Sequence, residues 1–385
     1  MKALVFERKL AKFAAAAVAG RFAAGSGAKF GPLKLKDVDT PELPGPDWVR
    51  FKPRLSGICG SDLATIDGHS SRYFEPIVSF PFVLGHEVVG DLPDGSRAVL
   101  IPVLHCAIRG IDPVCDWCGP GLTNLCERVA FGHLEPGLQS GFCRDTGGGW
   151  SIAMVAHRAQ LLAIPEDLSD EAAVMVEPTA CAVHAAQRAL HNETAIIGSG
   201  TLGLLTIAAM RHLGHNESAA LVATAKYPEQ RRLALALGAD KVVAPDELPR
   251  LIRSLSHSLV AGDQLTCGFD AIVDCVGSES SLRQALRVVA PGGDVHVVGM
   301  PGNVSLDLTS LWHRETCLRG CYAYTADDFA TALEVVRAFD LGRLVSATYP
   351  LDRYEDAITH AANAGPRGAV KIAFDLRTEK QRKDY

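Results

Sequence analysis

The chain has 385 residues, 48% of them hydrophobic and 21% charged, which is enough for one or two globular domains with a large core. Its formal net charge of −6 argues against a nucleic acid or an anionic membrane as its partner. No window reaches the length of about 18 apolar residues that a membrane span needs, so we expect a cytoplasmic protein.

Residues 1 to about 180 predict a mostly β domain, because short apolar runs and turn signals alternate along this part of the chain. Residues 1–6 predict a strand. The alanine-rich stretch from Lys12 to Gly25 loosely imitates a signal peptide, but it is weakly hydrophobic and follows that strand. We therefore favour a local helical insertion at residues 10–29. A helix with a plausible cap at Ser169 ends this segment.

Four side chains of this segment have the chemistry of metal ligands. Cys59 lies in the run G-I-C-G-S-D, His86 and Glu87 lie in G-H-E-V-V-G, and Glu177 begins E-P-T-A-C-A-V-H. A thiolate, an imidazole and a carboxylate can hold zinc and leave one position open for a substrate. A lone cysteine or histidine is more often a core residue, but all four together favour a catalytic metal centre.

A second set of cysteines predicts another metal site. Cys115, Cys118 and Cys126 crowd one loop beside Cys106. This spacing favours metal ligation over disulfides and fits a reducing compartment. A closed site of four thiolates contributes folding energy and no chemistry.

From residue 194 onward, predicted strands alternate with predicted helices. The strands are expected at 194–197, 219–224, 241–243, 269–274 and 294–298, and the helices at 202–213, 228–237 and 281–289. The run Pro291-Gly292-Gly293 is expected to close the last of these helices. Such alternation predicts a parallel, doubly wound sheet. A helix at 326–339 and a strand at 369–374 are expected to return to the first domain.

A glycine run, Gly198-x-Gly200-x-x-Gly203, follows the first of these strands and opens a helix, which is the context in which it binds a dinucleotide. The first glycine makes a tight turn, the second admits the pyrophosphate, and the third lets the helix meet the strand. The amides near Thr201 and Leu202 are expected to face the phosphates. Backbone at the ends of later strands is expected to line the nicotinamide side, at Cys275, Gly277 and Gly299.

The end of the second strand bears on the choice of dinucleotide. It lacks the acidic residue that binds the ribose 2′-hydroxyl of NAD. Lys226 and Arg231 follow instead and are suited to a 2′-phosphate, although they also suit the charged start of a surface helix. The pattern favours NADP and leaves NAD open.

Taken together, these motifs resemble those of the zinc-dependent medium-chain dehydrogenases and reductases, in the branch that includes alcohol, polyol, glucose and threonine dehydrogenases. The resemblance covers nearly the whole chain. It implies an α/β protein with a β-rich, GroES-like catalytic domain at 1–180 and 325–385 and a Rossmann domain at 181–324. It also implies zinc at Cys59 and His86, completed by Glu87 and by Glu177 directly or through a water, and a homo-dimer or homo-tetramer.

The resemblance also bears on two uncertain positions. The cysteine loop matches the last three ligands of the family's structural zinc lobe, whose first ligand is expected where Asp112 stands. Cys106 is the favoured alternative, and loss of this metal is a third possibility. Ser61 stands where the family has a hydroxyl that relays the released proton, but Ala64 replaces the histidine of many relatives.

We therefore predict a zinc-dependent oxidoreductase that transfers a hydride between a small alcohol or carbonyl substrate and NAD or NADP. The substrate is expected to be a polyol, a sugar or a secondary alcohol. Zinc is a Lewis acid and lowers the pKa of bound water to about 7, and we expect the same effect on an alcohol. Two alternatives remain: a biosynthetic reductase of a conjugated or imine substrate, and a non-catalytic cofactor-binding protein.

Overall fold

The computed structural model describes residues 1–216, 218–300 and 302–383. The strands are β1 (Lys2–Phe6), β2 (Leu33–Asp37), β3 (Trp48–Gly57), β4 (Phe82–Val83), β5 (Val88–Asp91), β6 (Arg97–Leu100), β7 (Met154–His157), β8 (Leu161–Ala163), β9 (Thr194–Ile197), β10 (Leu221–Thr224), β11 (Lys241–Val243), β12 (Val260–Ala261), β13 (Gln264–Leu265), β14 (Phe269–Asp274), β15 (Val289–Val297), β16 (Cys317–Gly320), β17 (Val345–Tyr349) and β18 (Lys371–Asp375).

The α-helices are α1 (Leu10–Phe22), α2 (Gly27–Phe30), α3 (Gly60–Ile66), α4 (Asp170–Ala173), α5 (Val176–Arg188), α6 (Thr201–His212), α7 (Pro228–Ala236), α8 (Leu248–Leu255), α9 (Glu279–Val288), α10 (Thr309–His313), α11 (Ala326–Ala338), α12 (Tyr354–Ala362) and α13 (Glu379–Lys383). Within the described residues, none of these helices combines the length and the apolar content that crossing a bilayer requires.

The chain divides into two compact units. Unit 1 contains residues 1–177 and the segment from Asp340 onward, and unit 2 contains residues 178–339. The return to unit 1 therefore comes at Asp340, after α11, and later in the chain than the predicted boundary at 325.

Unit 1 is built on a seven-stranded sheet in which β3 pairs with both β5 and β18. Ser56 on β3 is opposite Val88 on one side and Phe374 on the other. The end of β3, the start of β5 and strand β18 therefore lie side by side. A core cluster that includes Trp150 and Phe374 packs beside them, and burial of each such large apolar side chain contributes about 1.5–3 kcal/mol.

The alanine-rich segment forms α1 and α2, as the sequence predicted, and both belong to unit 1. The Asp67 carboxylate accepts hydrogen bonds from the backbone N–H of Gly25 at 2.7 Å and of Gly27 at 2.8 Å. A side chain at Gly27 would place its Cβ 2.0 Å from the Ile66 carbonyl oxygen, so only glycine permits this contact. The insertion is therefore anchored at the end of α3, the helix that begins beside Cys59.

Unit 2 is a six-stranded parallel sheet in the order β11-β10-β9-β14-β15-β16. The order reverses beside β9, as in a doubly wound fold, and the predicted α/β class is confirmed. The strand predicted at 294–298 lies within β15 to Val297, but its start was missed, because β15 begins at Val289 and includes the Pro291-Gly292-Gly293 run that was expected to close the preceding helix. Its pairing with β14 is irregular there, between Phe269 and Ala271.

Candidate metal centre and dinucleotide site

Cys59, His86 and Glu87 come together at the end of β3. Cys59 is the residue before α3, and its extended backbone directs its N–H to Asp62 Oδ2 at 3.0 Å. His86 and Glu87 directly precede β5 and are 4% and 1% exposed. One ligand atom from each of the three residues lies within 4.8 Å of the other two. The structure thus brings together three of the four predicted ligands of the catalytic metal.

The surroundings of His86 favour a positive charge at this centre. His86 Nδ1 lies 3.5 Å from Oδ1 of the fully buried Asp62, and within the described residues neither atom has a hydrogen-bond partner. Burial opposes a charge on His86, but the Asp62 carboxylate and the Cys59 sulfur raise its pKa well above the ordinary value. The negative groups that stabilise a proton on this ring would also stabilise a divalent cation that replaces the proton, so these residues fit a metal ion.

Glu87 has a second partner that the sequence analysis missed. Lys371 Nζ lies 2.5 Å from both carboxylate oxygens of Glu87 and also donates to the Ile58 carbonyl oxygen at 3.3 Å. Burial lowers the pKa of Lys371, but Glu87, Cys59 and Glu177 outweigh this effect and raise it. The Glu87 carboxylate therefore contacts the buried Lys371 ammonium and also belongs to the group of Cys59, His86 and Glu87 that could bind a metal.

A glycine makes room for this carboxylate. A Cβ added at Gly57 would lie 1.9 Å from Glu87 Oε2, closer than any real contact. The one signal in the sequence for Lys371 is a single charged residue within the apolar strand Ala369–Phe374.

Glu177 and Ser61 lie outside the three-residue group. Glu177 is in the first turn of α5 and is 6% exposed, and its charge contributes to the raised pKa of Lys371. Ser61 is in the first turn of α3, and its carbonyl oxygen accepts a hydrogen bond from Thr65 Oγ1 at 2.9 Å. Neither residue therefore belongs to the group of donor atoms from Cys59, His86 and Glu87 that lie within 4.8 Å of one another.

Four cysteines form a second group between β6 and β7. The thiols of Cys106, Cys115, Cys118 and Cys126 all lie within 4.8 Å of one another, and Asp112 is not part of this group. The sulfur atoms of Cys106 and Cys126 are 3.6 Å apart, and all eleven cysteines of the chain are free thiols.

The titration of this group shows what a metal would change. Burial alone would raise the pKa of Cys115, but hydrogen bonds from the backbone of Glu127 and Cys118 and from neighbouring thiols lower it to about 6. Burial instead raises the pKa values of Cys118 and Cys126. Without a cation, Cys115 thus favours the thiolate while Cys118 and Cys126 keep their protons, whereas zinc would deprotonate the thiols that bind it, and the donor set fits a structural zinc ion.

The glycine run forms a tight turn between β9 and α6. Gly198 has a φ of +91°, and its N–H donates to Thr224 Oγ1 at 2.9 Å. A Cβ at Gly203 would lie 1.8 Å from the Gly198 carbonyl oxygen, so this glycine lets the helix approach the strand. Gly200 caps α6 and has open space where a Cβ would stand, and Thr201 and Leu202 form the first turn behind it. The turn therefore offers backbone N–H groups and space to a phosphate.

The two cations after β10 differ in their surroundings. Lys226 is exposed, two residues beyond the end of the strand. Arg231 is also exposed, but its Nη1 donates to the Val242 carbonyl oxygen at 3.1 Å. Lys226 is therefore the freer of the two to meet a ligand.

The loops that follow β14 and β15 pack closely against each other. The buried Asp274 carboxylate accepts hydrogen bonds from the N–H groups of Val276 at 2.9 Å and Gly277 at 3.1 Å. A Cβ at Gly277 would lie 2.5 Å from the Gly299 carbonyl oxygen. Burial raises the pKa of the adjacent Cys275 to about 12, so its thiol stays protonated. These positions shape the carboxyl edge of the sheet through their backbone.

Two domain models match the chain. Residues 45–166 match the alcohol dehydrogenase GroES-like domain, and residues 201–338 match the zinc-binding dehydrogenase domain. The first match includes Cys59, His86, Glu87 and the four-cysteine group, and the second includes most of unit 2.

Curated relatives match over most of their length. The chain is 28% identical to L-idonate 5-dehydrogenase of Vitis vinifera over 368 residues, which cover 89% of this chain and 92% of that protein. It is 26% identical to sorbitol dehydrogenase of Bacillus subtilis (strain 168), with 86% of this chain and 90% of that protein covered. Among solved structures, a protein assigned as a zinc-binding dehydrogenase from Sinorhizobium meliloti 1021, bound to NADP, matches with a TM-score of 0.71 at 26% identity, over 89% of this chain and 96% of that one.

Proposed function

Because the chain belongs to the zinc-dependent medium-chain dehydrogenases, we propose that the buried group of Cys59, His86 and Glu87 is its catalytic zinc site. The protein is an NAD(P)-dependent oxidoreductase that acts on CH–OH donors. The observation that carries the assignment of the site is the meeting of three unlike donors within 4.8 Å, in surroundings that favour a positive charge. Bound there, zinc supplies Lewis acidity, which lowers the pKa of an alcohol oxygen.

The neighbouring residues hold the donors in place. The Asp62 carboxylate faces His86 Nδ1 at 3.5 Å and supports charge on this ring, and Lys371 holds the Glu87 carboxylate. Glu177 acts from outside the direct ligand set, which its position apart from the 4.8 Å group supports. Ser61, two residues after Cys59, is the proposed relay, whose hydroxyl accepts the proton that the substrate hydroxyl releases as it passes its own proton on towards solvent.

The proposed substrate is a polyol or a sugar alcohol. Relatives that match nearly the whole chain are named for such compounds, L-idonate and sorbitol among them. The test is a panel of polyols, sugar acids and simple secondary alcohols, followed by the absorbance of the reduced nicotinamide. Oxidation of a polyol at least tenfold faster than of a simple secondary alcohol supports the proposal. Equal rates, or no oxidation of any alcohol, would contradict it.

The proposed cofactor preference is for NADP. The exposed Lys226 follows a strand that carries no acid at its end, and a lysine there attracts the 2′-phosphate. We expect Lys226→Ala to lower kcat/KM for NADP at least about tenfold, as a charged hydrogen bond is worth about 1.5–3 kcal/mol, and to leave kcat/KM for NAD unchanged. Arg231→Ala is the matched control with a smaller expected effect. A tenfold preference of the wild-type enzyme for NAD would overturn the proposal.

Location and assembly complete the proposal. A cytoplasmic location is supported by eleven free thiols, because such clusters persist in reducing compartments. A homo-dimer or homo-tetramer is the proposed assembly, and light scattering of the purified protein tests it. A monomeric mass at working concentration would exclude it.

A further inference from the structure

Three side chains of unit 2 form a group apart from the proposed active site. Asp294 and His296 stand two residues apart on β15 and therefore project from the same face of the sheet. His191 lies in the short connection between α5 and β9. One ligand atom from each lies within 4.8 Å of the other two, and His191 Nε2 is 3.5 Å from Asp294 Oδ2.

His296 is the member whose surroundings point to a ligand. It is 1% exposed, and its buried Nε2 has no hydrogen-bond partner among the residues that the structure describes. Its Nδ1 lies 3.9 Å from Cys321 Sγ, which leaves Nε2 as the nitrogen available to a cation.

The group lies away from the dinucleotide turn within unit 2. Ala271 on β14 pairs with Thr194, the first residue of β9, and with Asp294 on its other side. Asp294 is therefore level with the amino end of β9. The glycine run follows the opposite, carboxyl end of the same strand. A ligand of this group would leave the phosphate-binding turn untouched.

We propose that His191, Asp294 and His296 form a further metal site, which takes a divalent cation of the zinc class. Two imidazoles and a carboxylate are donors that suit zinc, cobalt or nickel and are unlike the all-oxygen sets of magnesium and calcium. Two atoms bound to one tetrahedral zinc lie about 3.3 Å apart, given bonds of about 2.0–2.1 Å, which is close to the separation of His191 and Asp294. The His191 side chain is 39% exposed, so the site opens to solvent and its ion exchanges.

The test is a titration of the purified holoenzyme with Zn²⁺, after the metal that copurifies with it has been counted. Wild-type protein is expected to take up about one further ion per chain, with a dissociation constant in the micromolar range. His191→Ala is the informative variant because this side chain is partly exposed and lies outside the core, so its loss leaves the core intact. The matched control is His212→Ala, another histidine of unit 2, at the end of α6.

The expected result is that His191→Ala weakens uptake of this ion at least about tenfold and that His212→Ala titrates as wild type. Titration with Co²⁺ supplies a second readout, since tetrahedral cobalt absorbs visible light and the absorbance is expected to vanish in His191→Ala. The proposal is overturned if wild type takes up no further ion below millimolar Zn²⁺, or if His191→Ala binds it equally well. Neither result depends on the metal that copurifies, so the test is independent of the proposed catalytic site.

Discussion

The two groups of unit 1 that could bind a metal, the four-cysteine group and the Cys59–His86–Glu87 group, differ in where their donor atoms come from. The four-cysteine group takes four identical donors from one loop between β6 and β7. The Cys59–His86–Glu87 group takes three unlike donors from separate segments, and a buried lysine binds one of them. A closed set of thiolates stabilises a fold, whereas an incomplete, mixed set leaves a coordination position for chemistry. We therefore expect loss of zinc from the Cys59–His86–Glu87 group to abolish turnover with little effect on stability. Loss of zinc from the four-cysteine group is expected to lower stability with little effect on turnover.

The largest expected effect is on turnover and comes from Cys59→Ala. Loss of this ligand should lower kcat about 10³-fold or more, because Lewis-acid stabilisation is worth several kcal/mol and each 1.36 kcal/mol is tenfold in rate. The melting temperature should change little. Steady-state kinetics and thermal unfolding measure both, and Cys267→Ala, an exposed cysteine, is the control. Turnover at the wild-type rate in Cys59→Ala would show that this group does not hold a catalytic metal ion.

The converse change is Cys126→Ser in the four-cysteine group. It should release the structural ion and lower the free energy of unfolding by several kcal/mol, since binding of such an ion contributes directly to folding. Turnover per folded molecule should be retained at low temperature. Denaturant unfolding together with metal analysis checks this expectation. A variant as stable as wild type would mean that the group holds no structural metal.

The buried pair of Lys371 and Glu87 offers a sharper comparison. Lys371→Met leaves the Glu87 carboxylate buried without its ammonium, and breaking such a pair costs about 3–5 kcal/mol. The double variant Lys371→Met/Glu87→Gln removes both charges and should recover much of that loss. Urea unfolding of the two single variants and the double variant gives the coupling energy. Additive effects would show that the two side chains do not depend on each other.

The smallest of these effects is expected from Asp62→Asn. The carboxylate lies 3.5 Å from His86 Nδ1 without belonging to the group of Cys59, His86 and Glu87, and removal of such an outer partner lowers metal affinity about 10–100-fold. Competition with a chromophoric chelator measures this affinity, with the exposed Asp94→Asn as the control. Affinity equal to wild type would exclude a role for Asp62 at the centre.

Much of the fold was accessible from the sequence. The predicted strands at 194–197, 241–243 and 269–274 coincide with β9, β11 and β14, since buried apolar runs bounded by turn residues have few alternatives. The family and the reaction class predicted from Cys59, His86 and the glycine run are confirmed by the two domain models and the relatives. The start of β15 was missed because Pro291 and the two glycines after it were expected to close the preceding helix.

The side-chain contacts around the site were harder to predict from the sequence. The pairing of Lys371 with Glu87 joins positions that are far apart in the chain and depends on β18 lying beside β3. Spacing predicts which residues are ligand types, but it does not predict the partner on a neighbouring strand. Likewise, the sequence left Arg231 open between a phosphate contact and the charged start of a surface helix, and it did not predict the hydrogen bond of Arg231 to the Val242 carbonyl oxygen on β11.

The most direct test of the account is the zinc content of the purified active enzyme, dialysed without added metal, beside that of Cys59→Ala and Cys126→Ser. We predict about two zinc ions per wild-type chain and about one in each variant, with activity lost only in Cys59→Ala. Full activity in a wild-type protein that holds no transition metal would contradict the central claim that a thiolate, an imidazole and a carboxylate bind a catalytic ion.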